Sequence, residues 1–494
     1  MTVSPVRFCD AWLRCGAAAA LACALSACAL IRHDRPAATV IAPEQIRVAD
    51  DIRLPRDAWP DAQWWRAYRD PQLDALIYRA LAGSPTLRAA QARVSQARSD
   101  IDLARAGTRL QVAALGAVDR ERVSSNGFLG VYSGNQPLIG ATGPWYTEGI
   151  VGLGAHLDID IWGKQRAQVD AAMGLHNARL AEVDAVRLEL SADVAQIYFG
   201  IQTTYRAIAL LEQLRDVTAF AVDAHAARAA RGLEPVTQTE LARAQRLAVD
   251  RQIVAARGQI TQWREALRAL VGTGPDGLGE IRPVDPPALQ AALPATLSYE
   301  LLARRPDLQA LRWTVQASFD RIAAAKAAFY PSFDIKAFFG VNALHLADLF
   351  THASQQINLL PGVYLPIFDG DRLNANLGGA RSASNMLIER YNQAVLDAVR
   401  DVAVTGSRLQ DLDEEATLQK QKIDAVSVAQ ESAEAHYAHG LASRLTAMEA
   451  RQAVLIERLS LLEIDGQRLS QDVAMSKALG GGYRAASDVA LAPR

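Results

Sequence analysis

Asp193-Val194-Ala195 recurs downstream as Asp401-Val402-Ala403, and the repetition does not stop there. Gly232-Leu233 returns as Gly440-Leu441, Arg243 as Arg451 and Gly272 as Gly480, every pair 208 residues apart. Ala167-Gln168-Val169 meets Ala375-Asn376-Leu377 at the same spacing. Two unrelated Ala-rich helices do not keep one register over so long a stretch, so the chain is an internal duplication. Ser84-Pro85-Thr86-Leu87 also matches Arg305-Pro306-Asp307-Leu308, but 221 residues apart. The first copy therefore holds extra chain between these blocks. The Gly-, Ser- and Asn-rich stretch from Ser124 to Gly143 is the natural place for it.

Outward from that core, each copy reads helix, strand, loop, strand, long helix, turn, helix. No proline occurs between Pro144 and Pro235 or between Pro366 and Pro493. Helical patterning runs over 165–231 and 373–439, and each helix would be about 100 Å long at about 1.5 Å per residue. An ordinary globular core has no use for such a helix, whose usual length is about three turns; a tube or coiled coil does. Richness in Ala, Leu, Arg, Glu and Gln favours helix throughout, while Gly174 and Gly200 inside the first long helix each cost up to about 1 kcal/mol against Ala. In the helix expected from Leu445 to Leu479, Leu455, Leu459, Leu462, Leu469 and Val473 mark a narrow heptad seam.

Four segments alternate with period two. Val151, Leu153, Ala155, Leu157, Ile159 and Ile161 alternate with Gly152, Gly154, His156, Asp158 and Asp160; Phe333, Ile335, Ala337 and Phe339 alternate with Asp334, Lys336 and Phe338. Strands are expected at about 109–119, 147–161, 332–340 and 357–368. The pattern fits a half-buried soluble hairpin or a transmembrane barrel strand with lipid outside and water inside. Taken alone the pattern favours the hairpin, and counting shifts the balance toward the barrel. A barrel needs at least about eight strands and lipid tolerates no open edge, so four strands close only with other copies; three chains would supply twelve. After residue 28 no stretch is apolar enough to span as a helix, so any membrane crossing is by strands.

The N-terminus reads as a processing segment. Arg7 and Arg14 carry positive charge, an apolar run follows from Ala17 to Leu25, and Leu25-Ser26-Ala27-Cys28 closes it. These four residues look like a bacterial lipobox, which would make Cys28 the acylated first residue of the mature chain; the alternative is an ordinary secretory signal cut near Ala27. All four cysteines (Cys9, Cys15, Cys23, Cys28) lie here, so the mature chain holds a lone thiol with no disulfide partner. Ala29, in place of Asp, points to the outer membrane by the usual sorting rule. With 52 basic and 54 acidic residues the net charge is −2, which leaves no electrostatic footprint for nucleic acid.

With these features in hand, the chain resembles the outer-membrane efflux protein family, the TolC-like channels, and within it the lipoprotein branch called NodT-like or OprM-like. The markers are Cys28 in its lipobox, Trp64-Trp65 followed by Asp70-Pro71-Gln72-Leu73, Ser84-Pro85-Thr86-Leu87, Asp160-Ile161-Trp162-Gly163-Lys164, Arg304-Arg305-Pro306-Asp307-Leu308, Tyr330-Pro331, Leu365-Pro366-Ile367-Phe368-Asp369-Gly370 and Lys477-Ala478-Leu479-Gly480-Gly481-Gly482-Tyr483. The resemblance implies a mainly α chain with a membrane β-barrel part, whose homotrimer forms a 12-stranded barrel continued by an α-helical barrel. It also implies docking onto a periplasmic adaptor fed by an inner-membrane efflux pump, and a passive exit duct for small molecules such as drugs and other toxic compounds. The expected divisions are a signal peptide over 1–27, a lipid-anchored extended segment over 28–69, efflux repeats over 70–280 and 281–483, and a flexible tail over 484–494.

The same resemblance assigns candidate residues. The turns at Gly232-Leu233 and at Gly440-Leu441 with Ser443 would be the periplasmic tips that touch the adaptor; glycine there also ends a helix in the left-handed conformation. Leu445 and Glu449, four apart on one helix face, would form apolar and acidic rings at the periplasmic gate, with Glu where the resembling channels commonly carry Asp. Thr237 and Leu241 hold the matching positions in the first copy. His436 and His439 share a face but lack an obvious third ligand for a metal. There is no P-loop, nucleophile elbow or other catalytic constellation, and no cofactor is expected; energy must come from a partner. Two other uses of the fold are a type I protein-secretion exit duct and a lipid-anchored periplasmic coiled-coil scaffold without a channel.

Overall fold

A computed structural model describes residues 38–41, 58–136, 141–289 and 304–484. Cys28, the rest of the leader and the tail beyond 484 lie outside the described residues. Helix α1 (Pro71–Gly83) begins where Asp70 Oδ1 accepts the Gln72 and Leu73 amides at 2.9 and 3.3 Å, with proline at the first helical position. Helix α2 (Pro85–Ala106) leads into strand β1 (Gln111–Arg122). After a loop with a short hairpin (β2, Asn135–Gln136; β3, Ala141–Thr142), β4 (Trp145–Ile159) returns and runs into α3 (Lys164–Ala230), which turns into α4 (Val236–Val271). The second copy repeats this with α5 (Pro306–Ala327), β5 (Ser332–Ala343), β6 (Gln355–Tyr364), α6 (Arg372–Ala438) and α7 (Arg444–Ala478). Both long helices have 67 residues.

The strands form one antiparallel sheet in the order β1-β4-β5-β6. Helices α2, α3, α5 and α6 continue these strands and pack in that same order, α2 on α3, α3 on α5 and α5 on α6. Farther from the sheet, α4 and α7 take over beside α3, and α7 also packs on α6. The result is a wall of helices four abreast, hung from a four-stranded sheet.

The duplication is visible at single contacts. Gly272 and Gly480 end α4 and the α7 region with φ of +70° and +87°. A Cβ on Gly272 would lie 2.5 Å from the Gly83 carbonyl, and one on Gly480 would collide with the Arg304 carbonyl. One contact thus carries both repeat spacings. Gly174 and Gly200, costly for helix propensity, mark close packing: a Cβ on Gly174 would meet Ala317 at 3.1 Å, and one on Gly200 would meet the Trp263 ring at 2.9 Å.

The largest apolar cluster sits at the waist, where Trp64, Trp65 and Tyr68 pack with Leu73, Ile77, Tyr198, Phe199, Leu267 and Val473. The Tyr68 hydroxyl donates to Asp472 Oδ2 at 2.5 Å, and Tyr198 donates to Asp70 Oδ2 at 2.6 Å. Burial, reinforced by the neighbouring carboxylate, raises both phenols well above their ordinary pKa, so they remain donors. This collar corrects the expectation of an extended chain over 28–69: Trp64–Tyr68 is a 3-10 turn, coiled so that its aromatics reach the core. Residues 38–41 form neither helix nor strand, and Asn385 and Asn392 of α6 accept the Ala38 and Ile41 amides, each at 2.9 Å.

Strand ends shift from their expected positions for reasons of pairing. The strand expected at 109–119 extends to Arg122 because the ladder with β4 continues to the Arg122–Trp145 pair, which also moves the start of the 147–161 strand to Trp145. β5 runs past 340 to Ala343, paired with Gly149. The strand expected at 357–368 is Gln355–Tyr364, ending before Pro366, which has no amide to give a ladder. Pro361, which has no amide to donate, lies opposite Ile335 in β6, the outer strand of the single chain's sheet. The β1–β4 connection is longer than the β5–β6 connection, placing the extra chain of the first copy in the Gly/Ser/Asn-rich loop.

Candidate functional site

The register sorts the sheet into two unlike faces. One carries Val112, Ala114 and Val118 of β1, Val151, Leu153, Ala155, Leu157 and Ile159 of β4, Phe333 to Val341 at alternate positions of β5, and Ile357, Leu359 and Val363 of β6. All are apolar, and Val118, Leu153, Phe339, Ile357, Leu359 and Val363 are exposed on the single chain. The other face brings together His156, Asp158, Asp334 and Lys336 near the helices. His156 Nε2 lies 3.2 Å from Asp158 Oδ1, and Lys336 Nζ lies 3.2 Å from Asp334 Oδ2. At the far end this face shows Asp119, Glu121 and Glu148, with Asn342 donating to Glu148 Oε1 at 2.7 Å. Phe338, expected among the polar-face residues, does lie there, its ring against Gly152 and Gly340, where a side chain would collide.

An apolar exterior with a charged interior is the pattern of a barrel wall with lipid outside and water inside. The exposed apolar face runs along the sheet, and no described helix is long and apolar enough to cross a membrane. A cavity of about 1180 Å³ opens where sheet meets helices, lined among others by Asp158, Trp162, Arg321, Tyr330, Tyr364 and Arg372. Trp162 stacks on Tyr330 with centroids 4.8 Å apart and donates its indole N–H to the Pro331 carbonyl at 2.8 Å.

At the opposite end lie the two helix turns. Gly232 and Gly440 have φ of +70° and +72°, and the Leu233 and Leu441 amides close the turns on the Arg228 and His436 carbonyls at 2.9 and 2.8 Å. Leu233 and Leu441 project into solvent, 67% and 76% exposed. Ser443 caps α7 by accepting the Thr446 amide at 3.1 Å. The first tip has a different clamp, absent from the sequence reading: Glu234 is held by His225 Nδ1 at 2.8 Å and Arg228 Nε at 3.1 Å. A separation of nine residues across a turn follows no helical spacing, and no motif announces it.

Leu445 and Glu449 differ in placement. Leu445 is only 9% exposed, already packed inside its own protomer, and neighbouring Arg444 sits 4.6 Å over the Phe220 ring of α3. Glu449 is exposed and lines a groove of about 380 Å³ with His225, Gln238, Leu241, Gln245 and Gln452. His436 and His439 are both exposed, and no cluster suited to a metal ion exists among the described residues.

A half-lipid, half-water sheet continued by a helical wall defines the protomer of an outer-membrane channel. The model of the family described as outer membrane efflux protein matches residues 76–273 and 297–481, one segment per repeat, and the chain belongs to this family. The multidrug resistance outer membrane protein MdtP of Escherichia coli strain K12 is 56% identical over 461 residues, covering 93% of this chain and 94% of that protein. The putative multidrug resistance outer membrane protein MdtQ of Shigella flexneri is 37% identical over 472 residues, 93% of this chain and 96% of that one. Among solved structures, the outer membrane protein VceC of Vibrio cholerae superposes with a TM-score of 0.76 at 30% identity, covering 86% of this chain and 100% of that chain. The CmeC outer membrane channel of Campylobacter jejuni, at 19% identity, shares the fold with a TM-score of 0.79. The chain is thus an efflux channel component of the outer membrane.

Proposed function

We propose that three copies join edge to edge into a 12-stranded barrel, prolonged by an α-helical tube, forming a passive exit duct for drugs and other small toxic molecules. One observation carries this reading: β1 and β6 are both unpaired edges of a sheet whose apolar face is exposed. Each unsatisfied backbone group in hydrocarbon costs several kcal/mol, so β6 of one copy must meet β1 of the next. A coiled-coil scaffold without a channel would leave that exposed apolar face without a use. The names of the MdtP and MdtQ relatives favour drug efflux over protein secretion.

Cys28 is the lipid anchor in this reading; each buried acyl methylene contributes about 0.8 kcal/mol. Gly232, Leu233, Gly440, Leu441 and Ser443 are the surface offered to a periplasmic adaptor, which links the duct to an inner-membrane pump. Three Glu449 carboxylates converge at the periplasmic mouth, and Leu445, packed one turn away, holds the start of α7 in place beneath them.

In a strain lacking its own outer-membrane efflux channels, the chain with a compatible adaptor and pump should restore resistance to drugs and dyes. Gly440→Pro or Leu441→Asp should abolish that resistance while trimers persist. Unchanged susceptibility with wild-type protein correctly inserted in the membrane would overturn the reading. Labelling with a radioactive fatty acid should mark wild type and spare Cys28→Ser. Leu445→Ser should raise the resting conductance, and Glu449→Gln should weaken cation preference.

A further inference from the structure

The run Asp119-Arg120-Glu121-Arg122 ends β1 at the loop end of the sheet, away from the helices. Alternation across the pleat sends its two acids and its two bases to opposite faces. Asp119 and Glu121 share the polar face with Glu148, while Arg120 and Arg122 continue the line Val112, Ala114, Val118 on the apolar face. Arg120 pairs across the ladder with Thr147 and Arg122 with Trp145, both on that same face. The Arg120 guanidinium lies 5.6 Å from the centroid of the exposed Trp145 ring. Among the described residues neither guanidinium forms an ion pair.

Height in the membrane follows from the register. The apolar face of β4 extends from Ile159 up to Gly149, which pairs with Val118. That length of strand is about 34 Å, or about 25 Å across the bilayer at a tilt of about 40°, which is the thickness of the apolar band of such barrels. Arg120 stands one lipid-facing step above it. Mid-bilayer arginine on a barrel exterior costs about 2–4 kcal/mol, but close to nothing at the interface. The helices occupy the periplasmic side, so this rim meets the outer leaflet, whose characteristic lipid is a phosphate-bearing glycolipid. Arginine pairs with phosphate through two parallel N–H···O bonds, and tryptophan is enriched at the same level.

We infer that Arg120, Arg122 and Trp145 form a binding site for the phosphorylated glycolipid headgroup of the outer leaflet, one per protomer. The site rests on the barrel reading, because it requires the apolar face to point to lipid. It also explains why opposite charges alternate in β1: bases hold the rim in the membrane while acids line the exit.

The test is titration of detergent-solubilised trimers with a fluorescent diphosphorylated glycolipid of the lipid A type. Trimer assembly is scored separately on unheated gels, so failure of the barrel reading and failure of the site are distinguishable. Arg120→Gln with Arg122→Gln should raise Kd about tenfold or more, the effect of losing charge-assisted bonds, and Arg122→Gln alone should raise it less. The dephosphorylated glycolipid should not bind, whereas Glu121→Gln, on the opposite face, should leave Kd unchanged. Equal affinity in wild type and the double variant overturns the site; if the double variant does not assemble, unchanged Kd in the single variant does so. Phosphatidylglycerol binding as tightly as the glycolipid overturns the choice of ligand.

Discussion

At the same height in the two helical hairpins, positions 208 residues apart are filled by opposite chemistry. Leu211, Leu214 and Val249 are buried between α3 and α4 in one apolar cluster with Val217, Ile253 and Leu455. Their counterparts Gln419, Lys422 and Glu457 join α6 to α7 through polar bonds: Glu457 Oε2 accepts from Lys422 Nζ and from Gln419 Nε2, each at 2.8 Å. The tips differ in the same direction. Glu234 ties the first turn back to α3, whereas Ser443 caps only its own helix. Duplication has kept one backbone and given one hairpin an apolar seam and the other a polar one at this height; in the proposed duct, widening of the periplasmic mouth is expected to begin at α6–α7.

Three experiments sharpen or break this contrast. The largest effect should come from Leu214→Ala, which leaves a cavity in the apolar seam and should cost about 3 kcal/mol. Hydrogen exchange should then accelerate more along α3–α4 than along α6–α7, which shares only the Leu455 region of α7 with this cluster; equal acceleration in both would show that the hairpins are not separate units. Glu234→Gln should cost about 2 kcal/mol locally, since its bonds are charge-assisted, and amides around Leu233 should exchange about 30-fold faster. Unchanged exchange there would mean that the backbone turn needs no clamp.

The smallest effect concerns pH. The donors Lys422 and Gln419 hold the Glu457 carboxyl below its ordinary range. A carboxyl lowered by folding adds stability above its unfolded pKa and loses it as pH falls through the folded value. Acidification, or Glu457→Gln, should therefore loosen α6–α7 by no more than about 1 kcal/mol, as for a largely solvated pair, and leave the apolar seam of α3–α4 untouched. Loosening of α3–α4 instead would contradict the contrast.

Most of the fold was legible because it rests on periodicity. The 208-residue repeat and two proline-free runs located helices that prove to be 67 residues each, displaced by a single position. Alternation in Val151 to Ile159 exposed the two-faced sheet. Strand ends were less legible, since Arg122 and Trp145 pair by a ladder that no local pattern announces. The collar at Trp64–Tyr68 and the Glu234 clamp depend on contacts between distant or non-periodic positions, which propensity does not encode. The turn residues Gly232 and Gly440 were readable because left-handed geometry selects glycine. That Leu445 is buried within its own protomer was not readable, because a seam leucine and a pore leucine look alike in sequence.

In the proposed trimeric duct the water-filled interior is the charged face of the sheet. On that face each protomer carries Asp119, Glu121, Glu148, Asp158 and Asp334 against Lys336 and His156. Purified trimers in a planar bilayer under asymmetric salt test it most directly. Discrete single-channel steps with a reversal potential favouring cations are expected; trimers that insert without conducting, or that conduct with anion preference, would contradict it.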